Sequence, residues 1–144
     1  MASGLSARLR EIVEAIPLRP GMRVLEIGCG PGAAARAIAA RIGDGHVLGI
    51  DRSAVAIRQA LTASWAEVES GRLSFRQAAV EDFTLESGEQ PYDLALAVRV
   101  GVLDGRHPQA ELRAHHHLAA ALAPGAKLYL DGGTPLREIR LRTE

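Results

Sequence analysis

Three glycines at alternate positions, Gly28, Gly30 and Gly32, separate a run that reads as a buried strand (residues 23–27) from an alanine-rich run that reads as a helix (residues 33–42). A glycine accepts positive φ without a Cβ penalty and lets another molecule approach the backbone closely. The helix that follows points its free N–H groups and the positive end of its dipole back at the loop. In open α/β sheets ligands bind beyond the carboxyl ends of the strands, where the strand order reverses. A loop placed after the first strand of an alternating series belongs at that point. The stretch 24–32 therefore constrains this chain more than any other.

The rest of the chain alternates in the same way. Leu5, Leu9, Ile12, Val13 and Ile16 recur at helical spacing, and Pro17, Pro20 and Gly21 end that helix. Strands are expected at 23–27, 46–50, 73–78, 94–98 and 127–130. Helices are expected at 33–42, from a Ser53 cap to about residue 70, and from Pro108 to about residue 123. Residues 82–91 read as loop with at most one helical turn. Alternation of this kind implies right-handed crossovers and an α/β, doubly wound, mainly parallel sheet with helices on both faces. Five strands are expected, with a sixth if the tail pairs. At 144 residues, one domain is expected over 1–144, with an N-terminal helix in 1–20, a core in 21–133 and a tail in 134–144. Aromatic residues are only 3% of the chain, so aliphatic side chains must fill the core.

Asp51 closes the second strand, 19 residues past Gly32. A carboxylate there can accept hydrogen bonds from ribose hydroxyls, and with the glycine loop it makes a nucleoside half-site. Two ligand classes fit such a site. A dinucleotide prefers the spacing G-x-G-x-x-G, whereas this loop reads G-x-G-x-G. Glu26, two residues before Gly28, would repel a pyrophosphate and attract a ligand bearing ammonium and sulfonium charges. The residue chemistry leans from NAD, and an oxidoreductase, toward S-adenosylmethionine.

These residues resemble the class I S-adenosylmethionine-dependent methyltransferases, which have a Rossmann-like fold. Glu26-Ile27-Gly28-Cys29-Gly30-Pro31-Gly32 is similar to that family's first motif, and Gly49-Ile50-Asp51 to its acidic second-strand end. Pro91-Tyr92-Asp93-Leu94-Ala95-Leu96-Ala97 resembles the fourth-strand motif. Leu122-Ala123-Pro124-Gly125-Ala126-Lys127-Leu128 resembles the turn into strand five. Order and spacing agree over about three-quarters of the chain. The resemblance implies a methyltransferase that takes S-adenosylmethionine and releases S-adenosylhomocysteine. It implies that Glu26 and the backbone of Gly28 and Gly30 hold the methionine end, with Cys29 and Gly32 in the same loop. It assigns the ribose to Asp51, and places Arg52 and Ser53 beside the adenine. Val80 and Glu81 would meet the adenine edge, and Val98 and Arg99 would flank the methionine portion.

Some positions depart from the family pattern. Ala79 stands where an acidic adenine contact is common, leaving Glu81 to supply it. Eleven residues follow Gly133, too few for the family's further helix and two strands, so a truncated sheet is expected. Residues 134–144 alternate only loosely and read as a frayed end more than an edge strand. An exposed strand-five edge would then need cover from the tail, from the N-terminal helix or from a homodimer through that edge. These departures also admit a non-catalytic domain that binds the cofactor without transferring its methyl group.

Methyl transfer from a sulfonium needs alignment more than side-chain chemistry. The segment Arg99, Asp104, Arg106, His107 is charged and lies near the expected methyl position. His107 is a candidate base, and Arg99 or Arg106 a candidate anchor for an acidic substrate; the alternative is a solvated loop. His115, His116 and His117 are consecutive, so on a helix they point about 100° apart and do not converge on a metal. Cys29 is the only cysteine, which excludes an internal disulfide. At a helix N-terminus its thiol pKa can fall, but without a paired base it reads as a small filler beside the ligand. Seventeen Lys+Arg balance seventeen Asp+Glu, which gives no global field to hold nucleic acid or a membrane surface. No apolar run approaches the ~20 residues of a bilayer span, and charges at Arg8, Arg10, Glu11 and Glu14 break a signal-peptide pattern. A cytoplasmic protein acting on a small-molecule acceptor is expected.

Overall fold

A computed structural model describes residues 4–142. Its framework is one six-stranded sheet built from β1 (Arg23–Ile27), β2 (His46–Asp51), β3 (Leu73–Gln77), β4 (Tyr92–Ala97), β5 (Leu122–Asp131) and β6 (Leu136–Ile139). The order is β3-β2-β1-β4-β5-β6, parallel except for β6. The order reverses between β1 and β4, so the loop after β1 lies at the switch point, as its place after the first strand of the alternating series predicts.

Each central strand buries both faces, and the side-chain alternation of a strand divides its residues between two layers. On one face Val24, Val47, Leu73, Leu94 and Leu96 pack with α1 (Ala7–Ala15) and α2 (Ala33–Ala39). α1 presents Ile12 and Val13 at helical spacing, and the Ser6 hydroxyl caps it by accepting from the Leu9 N–H at 3.1 Å. On the other face Leu25, Ile27, Leu48, Ile50, Ala95, Ala97, Leu128 and Leu130 pack with α5 (Pro108–Ala121) through Ala114, Leu118 and Ala121. Phe83 and Tyr92 are among the few aromatic rings, and both complete this second layer. Beneath it Glu89 accepts from Nη1 and Nη2 of Arg76 and from the Tyr92 hydroxyl, which donates at 2.6 Å. Those bonds pin the loop before β4.

Three elements differ from the sequence reading. The helix expected from Ser53 to about residue 70 is two helices, α3 (Ala54–Ala63) and α4 (Trp65–Glu69), broken at the fully buried Ser64. The Ser64 hydroxyl accepts from Arg36 Nη1 at 2.8 Å. Helical periodicity carries no sign of that tertiary bond. β5 begins at Leu122 rather than at 127, because Leu122 pairs with Tyr92 before a register shift. The ladder resumes at Lys127 beyond Pro124 and Gly125; proline has no N–H to give a ladder. The tail is the third difference. It reads as frayed, yet Leu136–Ile139 forms β6 antiparallel to β5, with Leu130 opposite Arg137 and Leu128 opposite Ile139. The strand-five edge is thus paired within the chain, and the ground for a homodimer through that edge is gone.

Candidate functional site

The glycine loop is held from within. The N–H groups of Gly28 and Cys29 both donate to the Ile50 carbonyl, at 2.8 and 3.0 Å, and the Gly32 N–H donates to the Cys29 carbonyl. Asp51, at the end of β2, accepts the Gly30 N–H at 2.9 Å through Oδ2 and the Ser53 N–H at 2.9 Å through Oδ1. Arg36 reaches back from α2 to the Pro31 carbonyl at 2.9 Å. Gly28 has φ +71°, and a Cβ there would meet Val100 Cγ2 at 2.9 Å, so both conformation and space require glycine. With these N–H groups engaged, the loop offers a ligand its carbonyls and its lack of side chains rather than free donors.

A cavity of about 510 Å³ opens beyond the strand ends on the α5 side. That volume lies in the range of small-molecule sites. Of the residues read from the sequence, Gly28, Asp51, Arg52, Val80, Glu81, Arg99 and His107 line it. Ile27, Ala78, Ala79, Val100, Gly101, Val102 and Ala110 complete the wall, and none of these seven was singled out as a ligand contact. They are apolar or glycine, and strand ends, the turn after β4 and α5 bring them together. Arg52 pairs with Glu81 at 2.8 Å beside the cavity.

Glu26, Cys29, Gly30, Gly32 and Val98 do not line the cavity. Val98 packs into the layer on the α2 side. Glu26 alternates with Leu25 and Ile27, so it too faces α2. There it is 3% exposed and accepts the Ala35 N–H near the start of that helix. Its Oε1 is buried without a partner, and so is Oε1 of Glu81. Burial, with the neighbouring Asp51 charge, pushes the Glu26 carboxyl up to about 8. Cys29 is buried and its Sγ contacts the Gly30 carbonyl at 3.5 Å. Burial first, then Glu26 and Asp51, pushes its thiol well above the usual range, opposite to the fall that a helix N-terminus can cause.

Arg99 occupies the left-handed region, with φ +55°. Its N–H donates to Asp131 Oδ1 at 3.0 Å, which holds this costly conformation in place. Arg106 is bound to Asp104, with Nε donating at 2.7 Å. The three consecutive histidines diverge. His115 is buried against the tail, His116 is exposed, and His117 Nδ1 lies 2.8 Å from the Phe83 carbonyl.

Comparison with known proteins decides the family. Residues 24–125 match the family described as a methyltransferase domain. The chain belongs to that methyltransferase-domain family. An O-methyltransferase, rstn1, of Aspergillus nomiae is 31% identical over 138 residues, covering 92% of this chain and 58% of that protein. A trans-aconitate 2-methyltransferase of Paracidovorax citrulli is 33% identical over 121 residues, covering 84% of this chain and 42% of that protein. This methyltransferase domain thus spans about half the length of the curated relatives it matches. Among solved structures, a SAM-dependent methyltransferase of Thiobacillus denitrificans in complex with S-adenosyl-L-homocysteine shares the fold. Its TM-score is 0.67 at 23% identity, over 90% of this chain and 49% of that one. Among the described residues no helix is long and apolar enough to cross a membrane.

Proposed function

We propose that this chain is the cofactor-binding, methyl-transferring part of an S-adenosylmethionine-dependent methyltransferase acting on a small molecule in the cytoplasm. The observation that carries the reading is the pair of buried carboxylate oxygens without partners, Glu26 Oε1 behind the glycine loop and Glu81 Oε1 on the cavity wall. Buried acceptors of this kind favour a ligand that brings donors and positive charge, and they disfavour a pyrophosphate. An ammonium and an adenine amine have that chemistry. The cavity, the Asp51 carboxylate and the glycine backbone fit the rest of such a ligand.

When bound, S-adenosylmethionine supplies a methyl group on a sulfonium and leaves as S-adenosylhomocysteine. Asp51 already orients the loop through Gly30 and Ser53, and its remaining lone pairs accept ribose hydroxyls. Ala78, Ala79, Val80 and Val102 give the adenine an apolar slot, and Arg52 covers it from the rim. Glu81 accepts from the adenine amine, the role that an acid at position 79 would otherwise take. Glu26 faces α2, so it acts across the loop as a counter-charge to the methionine end and not as a wall residue. Arg99 stands where the methionine portion ends. His107 lies on the exposed rim and takes a proton from acceptors that must lose one. Alignment of acceptor and methyl group does the rest. The lone, buried Cys29 suits a reducing compartment, and the balanced charge suits a small acceptor over nucleic acid.

Calorimetric titration with S-adenosylmethionine, S-adenosylhomocysteine and NAD tests the reading. The first two should bind and NAD should not; NAD binding without S-adenosylmethionine binding overturns it. Asp51→Ala should weaken S-adenosylmethionine by about 1–3 kcal/mol, the scale of hydrogen bonds to a charged group. Unchanged affinity would remove Asp51 from the site.

A further inference from the structure

A second cavity, of about 300 Å³, adjoins the first and shares Arg99, Val100 and Gly101 with it. It lies beyond the ends of β4 and β5, between Ala97, Leu130 and Asp131 on one side and Leu103, Asp104 and Arg106 on the other. Arg137 of β6, opposite Leu130, closes it. Its floor is apolar, through Ala97, Val100, Leu103 and Leu130.

Three arginines and two aspartates line this space, but their charges are not equally available. Asp104 is engaged by Arg106 at 2.6 Å. Asp131 is engaged twice, by the Arg99 N–H through Oδ1 and by Arg8 Nη2 at 3.0 Å through Oδ2. Both acids therefore have cationic or N–H partners already. The side chains of Arg99 and Arg137 have neither an ion pair nor a hydrogen-bond partner among the described residues. Two unpaired guanidiniums over an apolar floor make a site for an organic anion. Each presents a planar fork of donors that matches a carboxylate in two-point contact.

We propose that this second cavity is the acceptor site and that it takes a small organic carboxylic acid, whose carboxylate is held by Arg137 with Arg99 beside it. The proposal rests on the methyl-transfer reading, because the shared wall then places the acceptor next to the methyl donor. Arg99 stands on that wall and serves both cavities. Arg137 belongs to the second alone, so it is the specificity-determining residue. Arg106, the other sequence candidate, is taken up by Asp104.

The test uses the full chain saturated with S-adenosylhomocysteine, titrated with a panel of mono-, di- and tricarboxylic acids, each beside its amide. At least one acid should bind more tightly than its amide. Arg137→Gln should weaken that acid about 10- to 100-fold, and Arg137→Lys should restore part of the loss. Affinity for S-adenosylhomocysteine should stay unchanged in both variants. The proposal is overturned if no acid binds better than its amide, if Arg137→Gln leaves the acid unaffected, or if inorganic phosphate competes equally well. Failure to bind S-adenosylhomocysteine would instead overturn the methyltransferase reading. Cofactor binding without acid binding would overturn only the acceptor.

Discussion

Burial lifts the Glu26 carboxyl to about 8, with the Asp51 charge adding to the effect. Below that pH the free protein holds a proton on Glu26, and a cationic ligand drawn to the loop would displace it. Calorimetry in buffers of different ionisation enthalpy at about pH 7 should show proton release on S-adenosylmethionine binding, abolished by Glu26→Gln. The same shift acts on stability. A carboxyl whose folded pKa is raised contributes stability that is fully present below its unfolded pKa and is lost as pH rises through about 8. Thermal melts should show the wild type losing ground to Glu26→Gln from about pH 5 to about pH 8; parallel pH profiles would contradict this. Glu26 and Asp51 stand out in the sequence as candidates because strand ends and short spacings mark their positions. The face that Glu26 takes was not, since it depends on which layer α2 occupies.

At the scale of elements, β6 and the residues after it are latched to α5. The Arg142 N–H donates to His115 Nδ1 at 2.7 Å, and the Arg142 guanidinium pairs with Glu111 at 3.4 Å. Glu111 also lies 3.6 Å from His115 Nε2. Burial lowers the His115 pKa; Glu111 works against that, while Arg142 and His116 reinforce it. A neutral ring is needed to accept the Arg142 N–H. With the folded pKa depressed, this contribution is present above the unfolded histidine pKa and is lost as pH falls. Hydrogen-exchange protection of the tail should therefore drop between about pH 7 and about pH 5, and His115→Gln should flatten the response. Protection that is independent of pH in the wild type would remove the latch. The tail reads as frayed because its hydrophobic alternation is weak. What fixes it is pairing with β5 and one buried histidine, neither visible locally. Arg137 enters the candidate acceptor site only through that pairing, so spacing alone could not have found it. The Ser64 break is hidden for the same reason.

For the whole molecule, the doubly wound sheet was legible because strand and helix patterns alternate along most of the chain. The cavities were not, because their walls are drawn from the ends of all five parallel strands and the segments that follow them, from α5 and from β6. A ligand that ties those ends together stabilises the folded state by mass action. At about one hundred times its dissociation constant, S-adenosylmethionine should add about 2.7 kcal/mol. For a chain of this size that raises Tm by about 10 °C. NAD at equal concentration should leave Tm unchanged.

The helix break at Ser64 also gives the chain an optical handle. Trp65, the single tryptophan, follows it directly and is 68% exposed. Arg36 holds the Ser64 hydroxyl with the same nitrogen that holds the Pro31 carbonyl of the glycine loop. Rearrangement of that loop is thereby tied to the segment that carries the indole, and the protein's own fluorescence can follow it without a label.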